Sequence, residues 1–159
     1  LQNYNQVDPQ RVGAYGLSLG AYSVALLAAV DPRLKLVGLV AGAGNMPSIL
    51  SYSTQRVPLK LRTERMTALN DFSVTDYENN LRTNIRFDPI YMTKNPNTKK
   101  YFMLIDTNDA DVPSANQHEL WEALGQPAHL DVNMTHAETI ISAATIHFDE
   151  ILKNIVSRF

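Results

Sequence analysis

Three short stretches of this sequence hold side chains that could carry out covalent chemistry together. The first is the turn Gly16-Leu17-Ser18-Leu19-Gly20. A serine on a sharp strand-to-helix turn is held at the strand tip in strained backbone, with its hydroxyl exposed for attack. Glycines are expected on both sides because the strand and helix leave no space for side chains there. The helix that begins at Leu19 aims N–H groups at the space beside Ser18, so the Leu19 N–H is the expected oxyanion donor. The second stretch, Asp106 to Pro113, holds three aspartates after an apolar run. Asp109 is central and the first choice to orient a base, Asp111 is second, and Asp106 lies at the run's end, where it can cap the loop. The third is His136, in Met134-Thr135-His136-Ala137. A serine hydroxyl needs a base to take its proton, and histidine most often serves. The chemistry of such a set is acyl transfer through the serine.

These residues act together only if the chain brings them to one place. Arg11–Tyr15 reads as a strand running into Gly16, and Leu19–Val30 as a helix with Tyr22, Leu26, Leu27 and Val30 on its apolar face. Asp31-Pro32 stops that helix, since a residue before proline is pushed out of the helical region. Leu36–Val40 and Tyr101–Ile105 are apolar runs of the kind found in central parallel strands. Ser114-x-x-Gln117 fits a capping box, opening a helix that buries Leu120, Trp121 and Leu124 and stops at Gly125. Leu130–Met134 reads as a fourth strand. Phe148, Ile151, Leu152, Ile155, Val156 and Phe159 repeat at helical spacing. Strand–helix alternation implies right-handed crossovers and a mostly parallel sheet. Open parallel sheets collect their reacting groups at the strands' carboxyl ends, where Ser18, the aspartate loop and His136 all fall. The other histidines fit worse. His118 and His147 lie inside helices, and His129 begins the fourth strand at the opposite end.

Residues 45–100 break the rhythm with Pro47, Pro58, Pro89 and Pro96. They read as a cap-like insertion with helices near Thr63–Phe72 and Thr75–Ile85. Met46, Ile49, Leu50 and Tyr52 are candidates to line an acyl pocket, a role that core packing explains equally well.

Composition narrows the alternatives. The 159 residues suit one domain; 45% are hydrophobic and 19% charged, a globular balance. A net charge of −2 without charge runs gives no reason to expect nucleic acid or an anionic membrane as a partner. Zero cysteines exclude thiolate catalysis, disulfides and cysteine zinc sites. No apolar stretch approaches the roughly 18 to 20 residues that span a bilayer. No metal or organic cofactor is implied.

The order Ser18, Asp109, His136 is the one found in α/β-hydrolases, and the sequence resembles that superfamily. Residues 8–44 are similar to its fifth strand, nucleophile turn, following helix and sixth strand. Residues 87–136 are similar to its seventh strand, acid loop, helix, eighth strand and histidine loop. In the dienelactone-hydrolase and prolyl-oligopeptidase-like branches the acid loop reads G-x-x-D-x-x-V-P. Here Asp106 stands in the glycine's place, Asp109 falls on the acid, and Val112-Pro113 close the motif. Thr135 precedes the histidine where glycine is frequent.

The resemblance implies a three-layer α/β fold with a parallel sheet that lacks the first four strands, so that residues 1–159 are the C-terminal part of one domain. Leu1–Gln6 would be the tail of the helix before the fifth strand. A second oxyanion donor would come from outside the chain. The missing N-terminal half, or a second copy, is expected to cover the apolar edge of Arg11–Tyr15. The implied activity is serine hydrolysis of a carboxylic ester, a small-molecule acyl substrate, by Ser18, His136 and Asp109. A peptidase or acyltransferase on the same residues is the alternative among enzymes. The alternative of another class is a non-catalytic binding module or inactive fragment.

Overall fold

The computed structural model describes residues 8–68, 73–145, 148–149, 151, 153 and 157. The expected helix tail Leu1–Gln6 and His147 lie outside them.

Four strands, β1 (Gly13–Leu17), β2 (Leu36–Val40), β3 (Tyr101–Asp106) and β4 (Ala128–Val132), form one parallel sheet in chain order. Leu17 stands opposite Val40, Val40 opposite Leu104, and Asp106 opposite Val132. This register brings the strands' carboxyl ends level, so the residues that follow them share one rim.

A sheet whose parallel strands follow in chain order, each joined by a right-handed crossover, must carry its crossover helices on one face. Helices α1 (Leu19–Val30), α5 (Pro89–Met92) and α6 (Ser114–Ala123) do pack together there. Val37, Leu39, Tyr101, Met103 and Ile105 point into that layer, where they meet Ala21, Ala25, Leu120 and Leu124. The alternate residues Val40, Phe102, Leu104 and Val132 point the other way, onto Ala143 of α7 (His136–Ala144) and Ile151. Both faces of β2 and β3 are therefore dry, which is why those strands read as unbroken apolar runs.

Within residues 45–100, helices α2 (Met46–Tyr52), α3 (Arg56–Ala68) and α4 (Val74–Asn84) pack on one another. Helix α4 opens with a capping box between Ser73 and Asp76. No helix among the described residues is long and apolar enough to cross a membrane.

Several sequence expectations are corrected. β1 extends to Leu17 rather than ending at Tyr15, because its ladder with β2 continues to the Ser18 N–H, which donates to the Val40 carbonyl at 2.8 Å. β4 begins at Ala128 and ends at Val132, whose carbonyl accepts from the Thr107 N–H, so Met134 is already outside the strand. Helix α3 starts well before Thr63, and Phe72 lies outside the described residues. Helix α1 buries Ala21, Ala25 and Ala28, while Leu27 and Val30 are exposed. The small alanines let the helix approach the sheet so closely that a Cβ on Gly42 would collide with that of Ala21.

The capping box at Ser114 does not form: Pro113 is the cap and makes no side-chain capping bond. Helix α7 was not anticipated, although Thr135-x-x-Glu138 is a capping box legible in the sequence and formed in the structure. Of the expected last helix, Phe148 and Ile151 are helical, and Leu152, Ile155, Val156 and Phe159 lie outside the described residues.

Candidate active site

Ser18 sits between β1 and α1 with φ 52° and ψ −121°. A positive φ at a residue with a Cβ costs of order 1–3 kcal/mol and persists only where the surroundings impose it. Here the bond to Val40 fixes one side of the turn, and the close passage of the chain fixes the other. A Cβ on Gly16 would collide with the backbone of Gly20 and Ala21. The expected need for both glycines holds for Gly16 alone, since a Cβ on Gly20 would meet nothing among the described residues. Leu19 is the first residue of α1, so its N–H has no acceptor within the helix and lies beside Ser18.

The Ser18 Oγ is 2.8 Å from His136 Nε2, and His136 Nδ1 is 2.6 Å from Asp109 Oδ2. A carboxylate can only accept, so Nδ1 carries a proton and donates it, leaving Nε2 free to accept from the serine hydroxyl. His136 is the first residue of α7 and is buried, as is Asp109, whose side chain is 0% exposed. Asp109 accepts further bonds: its Oδ1 from the Asp111 and Val112 N–H groups, both at 2.8 Å, and its Oδ2 from Gln117 Nε2 at 3.2 Å. Asp111, the competing acid, does not bond the histidine; its N–H donates to Asp109. Thus the structure brings Ser18, His136 and Asp109 together.

The pKa of His136 is raised above its ordinary value. The hydrogen bond to Asp109 is the main cause, burial opposes it, and the charges of Asp109, Asp111 and Asp106 add to it.

Two residues beyond the three reacting groups hold this arrangement. Gln117, expected to cap α6, is fully buried. Its Nε2 donates to the Val112 carbonyl at 2.8 Å as well as to Asp109, and its Oε1 accepts from the Asp106 N–H at 3.0 Å. Asp106, fully buried, caps its loop by accepting from the Asn108 N–H at 3.0 Å. It also crosses to the histidine segment, accepting from the Met134 N–H at 3.2 Å and from Thr139 Oγ1 at 2.6 Å. One carboxylate thus ties the acid loop to the turn that presents His136. The loop cap is the role expected of Asp106 from its place at the strand end; its crossing to the histidine segment was not expected.

A cavity of about 260 Å³ opens beside Ser18. Met46, Ile49 and Leu50 line it, as do Leu19, Tyr22 and Val57. Tyr52 does not; it is 53% exposed. The Tyr22 hydroxyl donates to the Phe87 carbonyl at 2.8 Å, and burial, with the nearby charge of Asp88, pushes its pKa up to about 12. The other described histidines lie elsewhere: His118 packs on its own helix against the Ser114 carbonyl, and His129 lies against Trp121 in β4. No group of three or more His, Asp or Glu able to hold a metal is found among the described residues.

Comparison with solved structures gives the fold. The chain superposes on the acylaminoacyl peptidase of Pyrococcus horikoshii with a TM-score of 0.68 at 14% identity, over 97% of its own length and 25% of that chain. It superposes on acetyl xylan esterase 1 from Thermoanaerobacterium sp. with a TM-score of 0.66 at 16% identity, over 96% of its length and 48% of that chain. An esterase from Pyrococcus furiosus gives 0.62 at 16% identity, over 97% and 57%. This is an α/β-hydrolase fold. It is a partial one, since the chain spans between a quarter and about half of those three proteins. Position in the α/β-hydrolase fold also explains why the site gathers at the rim, because every strand of this chain delivers its carboxyl end there. No protein-family model and no curated protein matches the sequence.

Proposed function

We propose that this chain carries the reacting groups of a serine hydrolase that cleaves carboxylic esters through an acyl-enzyme. The observation that carries the reading is the unbroken line of hydrogen bonds from Ser18 Oγ through His136 to Asp109, beside a cavity. His136 Nε2 takes the serine proton as Oγ attacks the acyl carbonyl, and Asp109 holds the imidazolium that results. The Leu19 N–H receives the charge that develops on the carbonyl oxygen. His136 then gives its proton to the leaving alcohol. A water molecule, deprotonated by the same nitrogen, releases the acid.

A fluorophosphonate probe tests the assignment. Labelling of the protein is expected, with loss in Ser18→Ala. His136→Ala should lower turnover by orders of magnitude, while His118→Ala leaves it near wild type. Absent labelling, or the reverse order of the two histidine variants, would overturn the reading. Similarity to peptidases supports amide cleavage as a second reading, and paired p-nitrophenyl ester and p-nitroanilide substrates of one acyl group decide between them. The proposal includes a cover for the open edge of β1, either further chain or a second copy, and assigns the second oxyanion donor to that cover.

A further inference from the structure

We infer that the site prefers neutral acyl groups of about six to eight carbons over acetyl, an inference that rests on the hydrolase reading. The cavity beside Ser18 is about 260 Å³ in volume and is walled by Leu19, Met46, Ile49, Leu50 and Val57. A dry, apolar cavity of about 150 Å³ accepts benzene, six carbons. By that scale the space here takes about ten heavy atoms, enough for a medium chain with its ester oxygens. An acetyl group would leave most of it unfilled.

The inner walls are braced, while Leu19 and Val57 are exposed. Asn45 and Met46, at the start of α2, donate their N–H groups to the fully buried carboxylate of Asp88 at 3.0 and 2.7 Å. That fixes the helix bearing Ile49 and Leu50. Opposite, Tyr22 is held by its bond to the Phe87 carbonyl.

Charge selects against anionic acyl groups. Among the described residues the cavity has a carboxylate in its lining, Asp111, and no lysine, arginine or histidine. An acyl chain ending in a carboxylate would lose its hydration there and gain no cation.

A series of p-nitrophenyl esters from acetate to palmitate, given to the purified protein, reads the preference. Complete burial of a methylene is worth roughly fourfold. The expected kcat/KM therefore rises by at least about tenfold from acetate to hexanoate or octanoate. The hemisuccinate ester should be poorer than butyrate. Ile49→Phe and Leu50→Phe, which fill the cavity, should lower the octanoate-to-acetate ratio by at least about tenfold. Inhibition of the wild type by n-alkylboronic acids gives the same readout without any substitution, with affinity rising to hexyl or octyl. A maximum at acetate, or boronic acid affinity indifferent to chain length, would overturn the inference alone. Absence of Ser18-dependent turnover of every ester, together with absence of fluorophosphonate labelling, would overturn the hydrolase reading and the inference with it.

Discussion

At the scale of single residues, the proposed mechanism makes the protonation of His136 govern what Ser18 can do. Asp109 stabilises the imidazolium through a 2.6 Å bond, and the charges of Asp111 and Asp106 add to it against the cost of burial. The histidine therefore keeps its proton to a higher pH than a free one, and the base form appears only above the ordinary value of about 6.5. The expected kcat/KM profile falls on its acid side with a midpoint above that value. Asp111→Asn removes one of the raising charges without touching the bonds of Asp109's carboxylate, so it should move the midpoint downward and leave the plateau little changed. Asp109→Asn should instead lower the plateau by about four orders of magnitude, because the imidazole loses its orienting acceptor. A midpoint unmoved by Asp111→Asn would contradict this electrostatic account. The same raised pKa has a sign for stability: the contribution is complete below about pH 6.5 and is lost as pH rises through the folded value.

At the scale of elements, the site depends on how β3, α6 and α7 are tied together. Asp106 accepts from Asn108, Met134 and Thr139, and thus from its own loop and from both sides of Thr135-His136. Asp106→Ala would take the partner from three donors, of which the Thr139 hydroxyl is buried, at a cost of about 1–3 kcal/mol. Chemical denaturation should show that loss, and kcat should fall with little change in KM as His136 loosens. Asp106→Asn keeps an oxygen for the two N–H groups and lets the Thr139 hydroxyl turn to accept, so it should recover much of both. Equal damage by the two variants would mean that the shape of the loop matters rather than these bonds.

This level is also where the sequence was least legible. Ser18, Asp109 and His136 could be read because each follows an apolar run at a strand end, and strand ends are written in the sequence as a change from apolar to turn-forming residues. Gln117 was misread because the spacing Ser114-x-x-Gln117 is the same whether the side chain caps its own helix or reaches across to a neighbouring loop. The apolar face of α1 was misread for a related reason. Hydropathy favours leucine and valine over alanine, whereas close helix-on-sheet packing favours the smaller side chain.

At the scale of the whole molecule, the two outer strands, β1 and β4, each pair on one side only among the described residues. Beyond β4 the chain turns back as α7 to cover the second face, but among the described residues β1 pairs with β2 alone. The free side of β1 presents a row of backbone donors and acceptors beside Tyr15, which is 37% exposed, and near Leu19, which is 66% exposed. A parallel sheet ordinarily buries such a strand, and an open apolar edge is a template for pairing with another chain. Produced by itself, the 159-residue chain should therefore self-associate in a concentration-dependent way, read by light scattering against its mass of 17.8 kDa. Tyr15→Lys places a charge on that exposed flank without entering the core, and should shift the population toward the monomer. A wild-type chain that stays monomeric at high concentration, with the same scattering as Tyr15→Lys, would show that the edge needs no cover. Association that hides the edge bears on activity as well. If the cover also supplies the second oxyanion donor, turnover per chain should rise with the associated fraction, by as much as the roughly hundred- to thousandfold that one such donor is worth. If association leaves turnover per chain unchanged, the cover is structural only, and the Leu19 N–H carries the oxyanion by itself.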